Sequence, residues 1–100
     1  MSKQFSSEYL YRIRNDISIP YLLEHVLRYP CRQSQGCFRF ICPKCLEFNT
    51  SVNLKNNLAR CFTCQRNFNT IDLVMLIKDM SFTKSILFLH SFLPNHLKSL

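Results

Sequence analysis

Two Cys-x-x-Cys pairs limit what this chain can fold into more than any other feature. Cys42-Pro43-Lys44-Cys45 and Cys61-Phe62-Thr63-Cys64 are separated by fifteen residues. Two cysteines three apart on a tight turn aim both sulfurs at one point about 2.3 Å from a metal ion, and a second such turn completes a tetrahedron. Pairs at this separation are a strong signal for a four-thiolate zinc site. The intervening residues are enough for a strand, a turn and a returning strand, a hairpin whose ends the metal clamps. With all four positions filled by thiolates no coordination site stays open for an activated water, so one structural Zn2+ is expected. Two disulfides would use the same residues. The opening Met-Ser-Lys-Gln-Phe-Ser has no apolar signal-peptide run, which leads to the expectation of a reducing cytoplasm, where thiols hold metal. A thioredoxin-type redox centre calls for one such pair beside a βαβ unit, not two around a hairpin.

One hundred residues are expected to form a single domain, 1–100. Its core is small, and a metal staple is the usual supplement at this size. Zinc contributes on the order of 10 kcal/mol to the folding of comparable peptides. No run of eighteen apolar residues is present, so no membrane span is expected. The formal charge is +7, and its distribution is uneven. Between residues 28 and 66 stand Arg28, Arg32, Arg39, Lys44, Lys55, Arg60 and Arg66 against Glu47 alone, a balance of +6. Four thiolates and one divalent ion add about −2, leaving roughly +4. A compact basic surface of this kind is the electrostatic footprint of nucleic-acid binding.

The helices are expected on both sides of the ribbon. Ser6 or Ser7 caps a helix over 7–15 that turns Tyr9, Leu10 and Ile13 inward. Pro20 starts a second, with Leu22, Leu23, Val26 and Leu27 as its buried stripe and Pro30 as its stop. Cys31 and Cys37 then fall in a polar loop, spaced too far apart for a third knuckle, and are read as small, partly buried residues. Phe38–Ile41 enters the first knuckle as a strand. Hairpin strands follow at about 49–54 and 58–62, turned by Lys55-Asn56-Asn57, with Val52 and Leu54 on the covered face. Asn69 or Thr70 caps a third helix, apolar nearly all round, and Ser81 a fourth, with Ile86, Leu87, Leu89 and Phe92 inward. His25, His90 and His96 are read as non-ligands. The expected fold class is α+β: a zinc ribbon over 37–68, an N-terminal helical extension over 7–30 and C-terminal helices over 70–92.

Cys42-Pro43-x-Cys45, the hairpin, Arg60-Cys61-Phe62-Thr63-Cys64 and Ile71-Asp72-Leu73-Val74-Met75 together resemble the zinc-binding domain at the front of bacterial replicative primases. Ile19-Pro20…Leu23…Val26 is similar to that family's entry helix, and Ser81-Phe82…Ser85-Ile86…Leu89 to a later one, so the resemblance covers about 17–93. The sequence departs from the family in having Cys45 where histidine is usual, which zinc accepts equally, and Gln65-Arg66-Asn67 where glycines follow the last cysteine. Primases polymerise with a separate carboxylate-bearing domain, and the six acids here form no Asp-x-Asp pair for catalytic magnesium. The resemblance therefore implies template binding without catalysis in this chain, with a primase, polymerase or helicase partner acting in trans.

Arg39, Lys44, Lys55, Arg60 and Arg66 are the expected phosphate contacts for single-stranded DNA, all on the wet face of the hairpin. Phe48 or Phe62 offers a stacking surface for a base. A second reading, a protein-interaction module or homodimer formed through the C-terminal helices, rests on Phe82, Leu87, Phe88, Leu93 and Leu97, more apolar side chains than so small a domain readily buries.

Overall fold

The computed structural model describes residues 5–94. Its elements follow from local signals. Helix α1 (Ser7–Asn15) starts where the Ser6 side chain accepts from the Tyr9 N–H, and it buries Ile13. Helix α2 (Ile19–Tyr21) is capped by Ser18, carries a proline in its first turn and runs directly into a π-helical turn, Leu22–Val26. That segment buries Leu22 and Leu23, whereas Val26 and Leu27 are only half-buried. Pro30 is not what stops it. The chain reverses two residues earlier, at Arg28 with φ 52°, and the Tyr29 N–H reaches back to the Leu23 carbonyl at 2.8 Å. Helix α3 (Thr70–Lys78) opens on a full capping box between Asn69 and Asp72 and closes on a left-handed Asp79. Helix α4 (Phe82–His90) is capped by Ser81.

The sheet has five antiparallel strands in sequence order: β1 (Cys31–Ser34), β2 (Cys37–Phe40), β3 (Thr50–Asn53), β4 (Leu58–Cys61) and β5 (Arg66–Phe68). The outer strands are additions to the expected ribbon. The supposed polar loop around Cys31 and Cys37 is a hairpin, turned by Gln35 and Gly36 with φ of 51° and 75°. Positive φ at both turn residues matches the twist of the flanking strands, and the chain's single glycine supplies one of them.

Period-two alternation divides the residues between two faces. Phe38, Phe40, Thr50, Ala59, Cys61 and Phe68 are buried on one. There they join Ile13, Ile17, Ile19, Leu22 and Leu23 from the N-terminal segments and Leu73, Val74, Ile86, Leu89 and Leu93 from the C-terminal ones in one apolar core. Val52 is half-buried on this face, but Leu54 is not covered: it sits in the β3–β4 turn and is 70% exposed. In α4, Leu87, expected inward, points out at 51% exposure, while Leu93 beyond the helix, one of the apolar side chains counted as more than the domain readily buries, is buried. Leu97 and His96 lie outside the described residues.

Two polar residues join the halves. Asn57, left-handed at φ 53° and buried in the hairpin turn, donates to the carbonyls of Arg14 at 2.7 Å and Ile17 at 2.8 Å. Its Oδ1 accepts from the Ile19 N–H at 3.0 Å. Thr70 Oγ1 donates to the Ile13 carbonyl at 2.8 Å. No helix among the described residues is long and apolar enough to cross a membrane.

Candidate metal centre and the polar sheet face

Cys42 and Cys45 lie in the turn that leaves β2, Cys61 ends β4, and Cys64 lies in the turn before β5. The four sulfurs stand within 4.8 Å of one another. Cys42 and Cys64 are 3.7 Å apart and Cys45 and Cys61 3.5 Å. A tetrahedron with metal–sulfur bonds of about 2.3 Å has edges of about 3.8 Å, whereas a disulfide needs about 2.05 Å. All six cysteines are free.

The backbone around the sulfurs is arranged for thiolates. The N–H groups of Lys44 and Cys45 point at Cys42 Sγ from 3.4 and 3.5 Å, and that of Cys64 at Cys61 Sγ from 3.5 Å. Neutral thiols accept hydrogen bonds weakly, so such donors favour the charged form. The two turns interlock: the Cys42 N–H donates to the Glu47 carbonyl, the Phe62 N–H to that of Asn49, and Asn49 Nδ2 to Thr63 Oγ1.

Four acidic groups this close compete for charge. Burial raises the Cys61 thiol, but the Cys64 N–H, the Thr50 hydroxyl across the strand pair and the neighbouring thiols outweigh it and bring it down to about 6. The Thr50 Oγ1 is buried with no hydrogen-bond partner at full bonding geometry, and it faces Cys61 across the register. Desolvation, followed by the pull of the adjacent cysteines, pushes Cys64 up to about 12. Without a cation the Cys61 thiolate forms readily, while Cys45 and Cys64 are pushed toward the thiol form. A divalent ion removes that conflict, and an all-sulfur tetrahedral donor set suits zinc. The donors present therefore fit the ion.

Cys31 and Cys37 stay outside the cluster. Cys31 pairs with Phe40 on the core face and Cys37 with Ser34 on the opposite one. Burial pushes the Cys31 thiol up, with the Glu24 carboxylate adding to it, so it stays neutral.

The expected phosphate contacts do not form one group. Register places Arg32, Arg39, Ser51, Arg60 and Asn67 in a line across all five strands, on the face away from the core. Arg60 donates to Asn67 Oδ1 at 3.2 Å. Among the described residues the carboxylates close to a basic side chain are Glu8 and Asp16 at Arg12 and Glu24 at His25, so the three sheet arginines make no ion pair. Below the line lies a groove of about 780 Å³ lined by Lys55, Arg60, Phe62 and Asn67 among others. Arg66 pairs with Cys61, and so belongs to the other face. Together with Lys44 it lines a separate cavity beside α3.

Phe62 is not a core residue: it is 55% exposed at the knuckle tip. Phe48 is partly exposed, with the Arg32 guanidinium 4.6 Å above its ring. Arg32 is a member of this basic line that the sequence does not reveal. It was counted in the charge balance, but only the unforeseen strand β1 brings it beside Arg39.

Fold and site define an α+β domain, ribbon-like in its sheet, with four cysteines placed to hold one metal ion. No protein-family model matches the chain, and no curated protein matches it.

Proposed function

We propose that the chain is a zinc-clamped module that binds single-stranded nucleic acid on the polar face of its sheet and works beside a catalytic partner, without catalysing a reaction itself. The observation that carries this is the line Arg32–Arg39–Ser51–Arg60–Asn67. Like charges directly opposite on neighbouring strands destabilise a sheet, and Arg32 opposite Arg39 does so with no acid to offset it. A phosphate backbone crossing the strands supplies that charge. Phe48, already under a guanidinium, and the exposed Phe62 flank the line as surfaces for base stacking. The resemblance to primase zinc domains supports template DNA as the ligand and a primase, polymerase or helicase as the partner. Titration of labelled single-stranded DNA, with duplex DNA as comparison, tests it: tighter binding of the single strand at low salt is expected, and no binding at low salt rejects it.

A second reading has its own observation. Leu76, Phe82 and Leu87 are exposed on α3 and α4, and apolar surface of that kind serves protein contacts. Sedimentation of the isolated chain separates a homodimer from a monomer.

A further inference from the structure

The two basic sites are on different faces, yet they meet at one residue. Asn67 of the edge strand β5 lines both the 780 Å³ groove and the second cavity. That cavity measures about 250 Å³, below the roughly 300–1,000 Å³ of a site for a whole small molecule. Its cations, Lys44 from the first knuckle and Arg66 from β5, have no ion-pair partner among the described residues. Its apolar wall is made by Phe68, Met75 and Leu76. Asp72 is the acid present, and its Oδ2 already accepts from the Asn69 N–H at 3.0 Å. An anionic group beside an apolar surface, in a space for a single residue, is the chemistry of one nucleotide.

We propose that the single strand bound on the sheet face continues around the β5 edge and places one nucleotide in this cavity, its phosphate between Lys44 and Arg66 and its base against Met75 and Leu76. This rests on the proposed function, and it extends the binding path from one face of the sheet to the other. An acidic peptide of a partner protein is the competing occupant.

The test uses the zinc-loaded full chain, with two oligothymidylates of about four and about twelve nucleotides, within the range of single-strand binding sites. K44Q/R66Q is expected to weaken binding of the long oligonucleotide about tenfold while changing the short one less than twofold. R32Q/R60Q is expected to weaken both. In parallel, thymidine 5′-monophosphate is titrated into isotope-labelled protein, and amide shifts are expected at Lys44, Arg66–Phe68 and Met75–Leu76. Equal affinities of K44Q/R66Q and wild type for the long strand overturn the inference while leaving face binding intact. So does a loss for both lengths alike, which marks general electrostatics. Shifts produced by an acidic peptide but not by the nucleotide assign the cavity to protein and overturn it too. Failure of wild type to bind either oligonucleotide rejects the underlying reading together with the inference.

Discussion

Directly after each Cys-x-x-Cys turn the backbone adopts a left-handed conformation: Leu46 at φ 65° and Gln65 at φ 56°. Glycine does this without strain, whereas a residue with a Cβ carries about 1–2 kcal/mol. Leu46 is 72% exposed, so little packing depends on its side chain. Leu46→Gly and Gln65→Gly are therefore each expected to stabilise the zinc-bound fold by about 0.5–1 kcal/mol after the added chain entropy of glycine, read from denaturant midpoints. The opposite sign is expected at Asn57. Its three bonds to Arg14, Ile17 and Ile19 fix the N-terminal helices to the hairpin, and Asn57→Ala leaves those buried groups unsatisfied. A loss of about 3 kcal/mol is expected in thermal or urea unfolding. The asparagine-rich turn was legible from sequence because a tight turn favours such residues. Its long-range role was not, since nothing local marks which carbonyls lie forty residues away in the fold.

At the scale of elements, what the sequence showed well was whatever rests on a few neighbouring residues. The knuckles depend on cysteine spacing, and the starts of α1, α2, α3 and α4 on Ser6, Pro20, Asn69 and Ser81, whereas the Ser18 cap of α2 emerges only from the fold. Strands β1 and β5 were missed because Cys-Arg-Gln-Ser and Arg-Asn-Phe show no apolar alternation. They are edge strands, held by pairing with β2 and β4, not by a pattern of their own. That omission hid Arg32, and it also hid the fact that Arg60 and Arg66 face opposite ways. The four-cysteine cluster, placed to hold one metal ion, is expected to set the fate of these elements. Cys42→Ser, Cys45→Ser, Cys61→Ser and Cys64→Ser are each expected to lose zinc by elemental analysis and to unfold residues 38–68, while Cys31→Ser and Cys37→Ser keep both metal and fold. Chelation should have the same effect as losing a ligand. Metal binding is also expected to fall with acid. Cys64, held up at about 12, and Cys45, also raised, are protonated near pH 7, so zinc must displace their protons. Affinity then rises as pH increases above neutrality and drops as pH falls, further still once Cys61 protonates near 6. Calorimetry in buffers of different ionisation enthalpy reads the released protons directly.

The whole molecule separates apolar core from basic surface by face. Helices cover one side of the sheet and form the core. The other side presents arginines across the strands, and the four cysteines gather at the turns that bring the two basic surfaces close. Affinity for a single strand should fall linearly with the logarithm of salt, with a slope of about −0.7 per phosphate neutralised. Three sheet arginines then correspond to a slope of about −2. The most direct measurement is this salt dependence, compared between wild type and the Arg32→Gln, Arg39→Gln, Arg60→Gln triple variant with zinc content and circular dichroism unchanged. The expected result is a slope near −2 or steeper for wild type, reduced by about 2 in the triple variant, with low-salt affinity down at least a hundredfold. Identical slopes and affinities for the two proteins, or no binding by wild type at low salt, contradict a nucleic-acid site on this face.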